Sequence, residues 1–186
     1  MRLSEVLRPE HVVVPLRADT FRAAVRELVQ RLVDSGALLH PERVEKLTSE
    51  ERVRDVVHVG DRILLPHLRT DAVSGLVVAI GVSPTPLSTP GSTTEPTERV
   101  VVLVLAPPAA ANLYLQMVAG LARALRTDGV VDRLLAARSA EEIVDIPELR
   151  NLKGVVGDKP GAFQVAHFIL CRGARVEQQR FLVGTR

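Results

Sequence analysis

Tryptophan is absent, only one tyrosine and four phenylalanines occur, and there is a single cysteine in 186 residues. One cysteine excludes an internal disulfide and any cysteine-based zinc site, and it fits a reducing compartment. So few aromatic rings argue against a platform that stacks nucleic-acid bases. Neither sign of charge is in excess: 24 Lys+Arg face 22 Asp+Glu, a formal net charge of +2, with no basic block to track a phosphate backbone. The start, Met1-Arg2-Leu3-Ser4-Glu5-Val6-Leu7-Arg8, carries charges every few positions and holds no signal-peptide core. These absences predict a cytoplasmic protein that neither binds nucleic acid nor inserts into a membrane. One uncharged run, Val100 to Ala122, is long enough to span a bilayer. Pro107-Pro108 divides it, however, which predicts a buried strand and then a helix.

What is present is the balance of a folded globule, 46% hydrophobic and 25% charged, with length for one ordinary domain. Phe21, Val25, Leu28, Val29, Leu32 and Val33 recur at helical spacing, with Asp19 or Thr20 as cap and Ser35-Gly36 as stop. A second helix is expected after His40-Pro41, running to about Arg52. Val56 to Leu65 reads as two extended runs about a Gly60-Asp61 turn. Leu76 to Val82 and Val100 to Ala106 are continuous apolar, β-branched runs, the pattern of strands buried on both faces beneath helices. Between them, Ser83 to Thr97 is mostly Pro, Ser and Thr and reads as a long surface loop. Residues 109–126 predict a largely buried helix, Val130 to Ala137 a short one, and Ser139-Ala140-Glu141-Glu142 a capping box opening another through Ile146.

Composition shifts after Arg150. Lys153 to Gly161 holds three glycines and a proline, and Phe163 to Cys171 and Arg180 to Val183 read as strands. The expected organisation is a domain over 1–150 and a β-hairpin extension over 151–186. Apolar residues on both faces of that hairpin call for cover, from the domain itself or from a second copy in a homodimer.

No phosphate-cradling glycine loop, nucleophile elbow, metalloprotease helix or calcium loop occurs. Of the five histidines, His58 and His67 lie nearest each other, among Asp61 and Asp71. Two histidines and a carboxylate can make a metal site, but this spacing is not diagnostic, and no metal or other cofactor is expected. His67 stands apart by context. It follows Leu65-Pro66 at the end of an apolar strand, where the proline is expected to turn the backbone and present the imidazole at the sheet rim. Neutral imidazole is a competent nucleophile.

The stretch Ile63-Leu64-Leu65-Pro66-His67-Leu68-Arg69-Thr70-Asp71-Ala72-Val73, followed by Leu76-Val77-Val78-Ala79-Ile80, resembles enzyme IIA domains of the fructose–mannitol class of the bacterial phosphotransferase system. That class includes the nitrogen-regulatory members. The likeness covers most of residues 1–148, including the first helix, the strand Val100 to Ala106 and the helix around Tyr114-Leu115-Gln116-Met117. It implies an α/β fold, a mixed β-sheet flanked by helices on both faces. It also implies that His67 accepts a phosphoryl group from the histidine-containing phosphocarrier protein and passes it to an enzyme IIB domain or a regulatory partner, with no nucleotide or metal bound.

The resemblance further marks helper positions that are filled differently here. Tyr114 stands where the family has a second histidine, and can still donate a hydrogen bond. Val57 stands for a threonine ten residues before His67, and Glu51 for an arginine sixteen before it, with Arg52 one place later. Arg69 is the basic residue after the Pro-His pair. Those changes leave two expected functions: a phosphocarrier acting through His67, or a regulatory and interaction module that keeps the fold without transfer.

Overall fold

The structure is a computed structural model that describes residues 3–44, 56–89 and 95–152. Five strands form one mixed sheet: β1 (Val12–Val13), β2 (Val56–Val59), β3 (Ile63–Arg69), β4 (Val77–Val82) and β5 (Val100–Ala106). Their spatial order is β1-β4-β5-β3-β2. β5 lies at the centre, antiparallel to β4 and parallel to β3, and every one of its residues is buried. The uninterrupted run Val100-Val101-Val102-Leu103-Val104-Leu105-Ala106 is what a strand with both faces covered requires.

Alternation divides the sheet residues between two cores. On one side Leu64, Ala79, Val101, Leu103 and Leu105 pack with Ala24, Val25, Leu28, Val29 and Leu32 of helix α1 (Phe21–Asp34). Thr20 caps α1 by accepting the Ala23 N–H at 3.2 Å, and Gly36, at φ +70°, ends it. The alternate residues, Ile63, Leu65, Val102 and Val104 among them, are buried on the opposite face. That face is covered by helix α2 (Ala111–Ala124), which buries Tyr114, Met117, Val118 and Leu121. Three short helices follow, α3 (Val130–Ala136), α4 (Ala140–Val144) and α5 (Pro147–Arg150). The mixed sheet flanked by helices on both faces is therefore present as expected.

The uncharged run 100–122 is strand, one 3-10 turn at Pro108–Ala110, and helix, and no helix among the described residues is long and apolar enough to cross a membrane. Three local expectations need correction. Pro66 does not end its strand, since β3 continues to Arg69. It pairs with β5 at Ile63 and Leu64 and again from His67 to Arg69; the gap covers Leu65 and Pro66, and the proline has no N–H to give the ladder. The polar loop after β4 is tied down over its first residues: Leu87 is fully buried, Ser88 N–H donates to Asp19 O, and Phe21 N–H donates to Ser88 O. Finally, the helix opened by Ser139 stops at Val144, and Pro147 starts a separate turn, as a proline at a first helical position does. Ser139 caps as expected by accepting the Glu142 N–H, while the Glu142 carboxylate takes the N–H of Arg138.

Residues 41–44 are helical, as Pro41 predicts. The remainder of that helix, to Arg52, and the hairpin expected in 151–186 lie outside the described residues apart from Asn151 and Leu152.

Candidate functional site

His67 sits in the C-terminal half of β3, opposite Val104 of β5. Strand alternation places it on the α2 face, continuing the row Ile63, Leu65. The buried residues before it anchor the strand, while His67 itself is half-buried. Its Nδ1 lies 3.2 Å from the carbonyl oxygen of Leu65. A carbonyl only accepts, so Nδ1 is the nitrogen that carries the hydrogen, and Nε2 keeps its lone pair. This backbone contact two residues upstream sets the tautomer, and no side-chain pattern could have revealed it.

Tyr114, the fourth residue of α2, is buried, and its ring centroid lies 5.7 Å from that of His67 with the planes tilted by 41°. Val57 pairs with Leu65 across the antiparallel β2–β3 ladder, which puts it on the same face as His67 and diagonal to it. Arg69 follows His67 on that face and is exposed. Glu51 and Arg52 lie outside the described residues.

The β2–β3 turn is not part of this cluster. Only the Val57 end of β2 approaches His67; Gly60, Asp61 and Arg62 lie at the far end of β3. There Arg62 pairs with Asp132 at 3.0 Å, and His58 with Glu98 at 3.1 Å. Register with Leu64 puts His58 on the opposite face from His67, so the two histidines cannot share a metal. Asp71 is held by Arg43, whose guanidinium lowers the carboxyl's pKa from its ordinary value. Among the described residues, no three His, Cys, Asp or Glu side chains form a group that could hold a metal ion.

Residues 5–148 match the family model described as "Phosphoenolpyruvate-dependent sugar phosphotransferase system, EIIA 2". The chain belongs to this family. Among curated proteins, the EIIA domain is similar to the "PTS system fructose-specific EIIA component" of Haloferax volcanii, 28% identical over 127 residues, or 68% of this chain and 82% of that protein. Among solved structures it is similar to the nitrogen regulatory protein IIA-Ntr from Neisseria meningitidis, with a TM-score of 0.63, 22% identity, and 75% of this chain and 94% of that one covered. It is also similar to a chain in the complex of enzyme IIA-Mtl and phosphorylated enzyme IIB-Mtl from Escherichia coli, with a TM-score of 0.61, 24% identity, and 77% and 96% covered. The EIIA fold thus spans the sheet and helices that carry His67 and Tyr114.

Proposed function

We propose that this EIIA domain is a phosphocarrier in which Nε2 of His67 accepts a phosphoryl group from the histidine-containing phosphocarrier protein and passes it to an enzyme IIB domain. The observation that carries the reading is the Nδ1 contact with Leu65 O, which leaves Nε2 as the lone-pair nitrogen of a half-buried ring. Attack by that lone pair forms an N–P bond as the donor's N–P bond breaks, and the donor imidazole leaves with the electron pair. The ring of phosphorylated His67 is cationic, and Leu65 O accepts the hydrogen bond from its Nδ1–H. In the second transfer a nucleophile of the acceptor forms the new bond to phosphorus as the His67 N–P bond breaks, and Nε2 leaves with the electron pair.

Transfer of this kind depends on positioning and charge stabilisation more than on proton movement. Tyr114 supplies a phenol ring beside the imidazole. A similar fold complexed with a phosphorylated IIB supports an enzyme IIB as the receiving partner. The reaction belongs in the cytoplasm, where phosphoenolpyruvate is made.

Val57 on the His67 face favours a second reading, a regulatory module that binds partners without transfer, because no hydroxyl stands at that position. One experiment separates the two. The protein is incubated with phosphoenolpyruvate, the general phosphotransferase enzyme and the phosphocarrier protein, and its intact mass is recorded. A gain of one phosphoryl group that is lost in His67→Ala supports the phosphocarrier. No gain under conditions that phosphorylate the carrier supports the module, and a gain that survives His67→Ala overturns the site.

A further inference from the structure

We propose that Arg69 is the residue that holds the phosphoryl group while it is on His67. The inference rests on the phosphocarrier reading and adds a cationic wall to the same site. His67 and Arg69 stand two positions apart on β3, opposite Val104 and Ala106 of β5. Alternation therefore sets both side chains on one face, with Cα atoms about 6–7 Å apart. An arginine side chain spans that distance, so its guanidinium reaches a group bonded to the neighbouring imidazole.

The arginine's place beside His67 and its lack of a partner among the described residues together mark it. Arg43, Arg62 and Arg133 are committed to Asp71, Asp132 and Glu148, and Arg99 donates to the carbonyl of Ser83. Arg69 is exposed and has no ion pair or side-chain hydrogen bond among the described residues. It is also the only charged residue on its face of β3, whose other members are Ile63, Leu65 and His67. Among the described residues, Tyr114 and the apolar Val57 also stand beside His67. Among the described residues, an incoming dianion thus meets one full positive charge there, on a planar fork that matches two phosphoryl oxygens at once. In sequence, Glu51 occupies the position where the resemblance places an arginine, and Arg69 offers a cation from the nucleophile's own strand.

A small phosphodonor tests this without a protein partner. With phosphoramidate, the Nε2 lone pair of His67 attacks phosphorus, the donor's N–P bond breaks, and the nitrogen departs as ammonia. Labelling is followed by intact mass against phosphoramidate concentration. Arg69→Gln is expected to label at least about tenfold more slowly, as loss of one charge-assisted hydrogen bond implies. Its melting temperature should be unchanged, and Arg69→Lys should recover part of the rate. Arg62→Gln, at the far end of the strand, should label like the wild type. Wild-type labelling by Arg69→Gln overturns the proposal, as does slowing seen only with the protein donor, which would make Arg69 a docking charge. A wild-type protein labelled by neither donor overturns the phosphocarrier reading, and this proposal falls with it.

Discussion

The rings of His67 and Tyr114 face one another at 5.7 Å, one from a strand and the other from the first turn of a helix that begins after the adjacent strand ends. Because β3 and β5 are parallel and neighbouring, the residues that leave β5 come out beside the end of β3. That topology allows one helix to supply a wall of the His67 site.

Tyr114→Phe keeps the ring packing and removes the hydroxyl. We expect phosphorylation a few-fold slower, equivalent to the roughly 0.5–1.5 kcal/mol of one neutral hydrogen bond, with an unchanged melting temperature. Stopped-flow or quench measurements of phosphohistidine formation check this. An equal rate would remove the phenol from the mechanism and leave the ring as packing.

Leu103 sits mid-way along the central strand, fully buried against the α1 core. Leu103→Ala is expected to lower stability by about 2–5 kcal/mol, a melting-point fall on the order of 10 °C. Since Leu103 faces away from His67, labelling well below the melting point should proceed at the wild-type rate. A large loss of labelling in the folded variant would mean that the two cores are coupled.

Much of this arrangement was legible before the structure. The seven-residue run of β5, the caps of α1 and the Pro-His context of His67 are local signals, each tied to one physical preference. Pro66 does not end β3, because its missing N–H matters only at one edge of a strand, and pairing with β5 resumes directly after it. Leu87 looked like part of a solvated loop, yet it is buried through contacts made from distant parts of the chain. Tyr114 came to notice through resemblance; its spacing from His67 in sequence says nothing about contact. The Leu65 carbonyl was invisible, because a backbone acceptor has no sequence signature.

His11 is buried at the edge of β1, its Nδ1 3.3 Å from Val6 O, and burial pushes its pKa below the ordinary histidine value of 6.5. The hydrogen bond to Val6 and the nearby Glu10 oppose that shift without cancelling it. A folded-state pKa below the unfolded one means the unfolded chain binds the proton more readily. The neutral ring's contribution is therefore complete above pH 6.5 and is lost as pH falls through the lower folded value. Denaturant unfolding at pH 7.5, 6.5 and 5.5 should show stability falling, and His11→Asn should flatten that slope. An equally steep slope in the variant would assign the loss to other groups.

Val57 offers a test by gain. It lies diagonal to His67 on the same face and is half-buried, so threonine, of nearly the same shape, sets a hydroxyl toward the site. Val57→Thr is expected to speed phosphorylation a few-fold, again the worth of one hydrogen bond. The added hydroxyl should cost little stability, because a half-buried position leaves it access to water. Adding Tyr114→His would place a second imidazole across from the first. If that imidazole and the threonine hydroxyl act independently on the phosphoryl group, the rate effects of Val57→Thr and Tyr114→His should multiply in the double variant. A double variant no faster than the better single one would show that the two positions compete for the same phosphoryl oxygen.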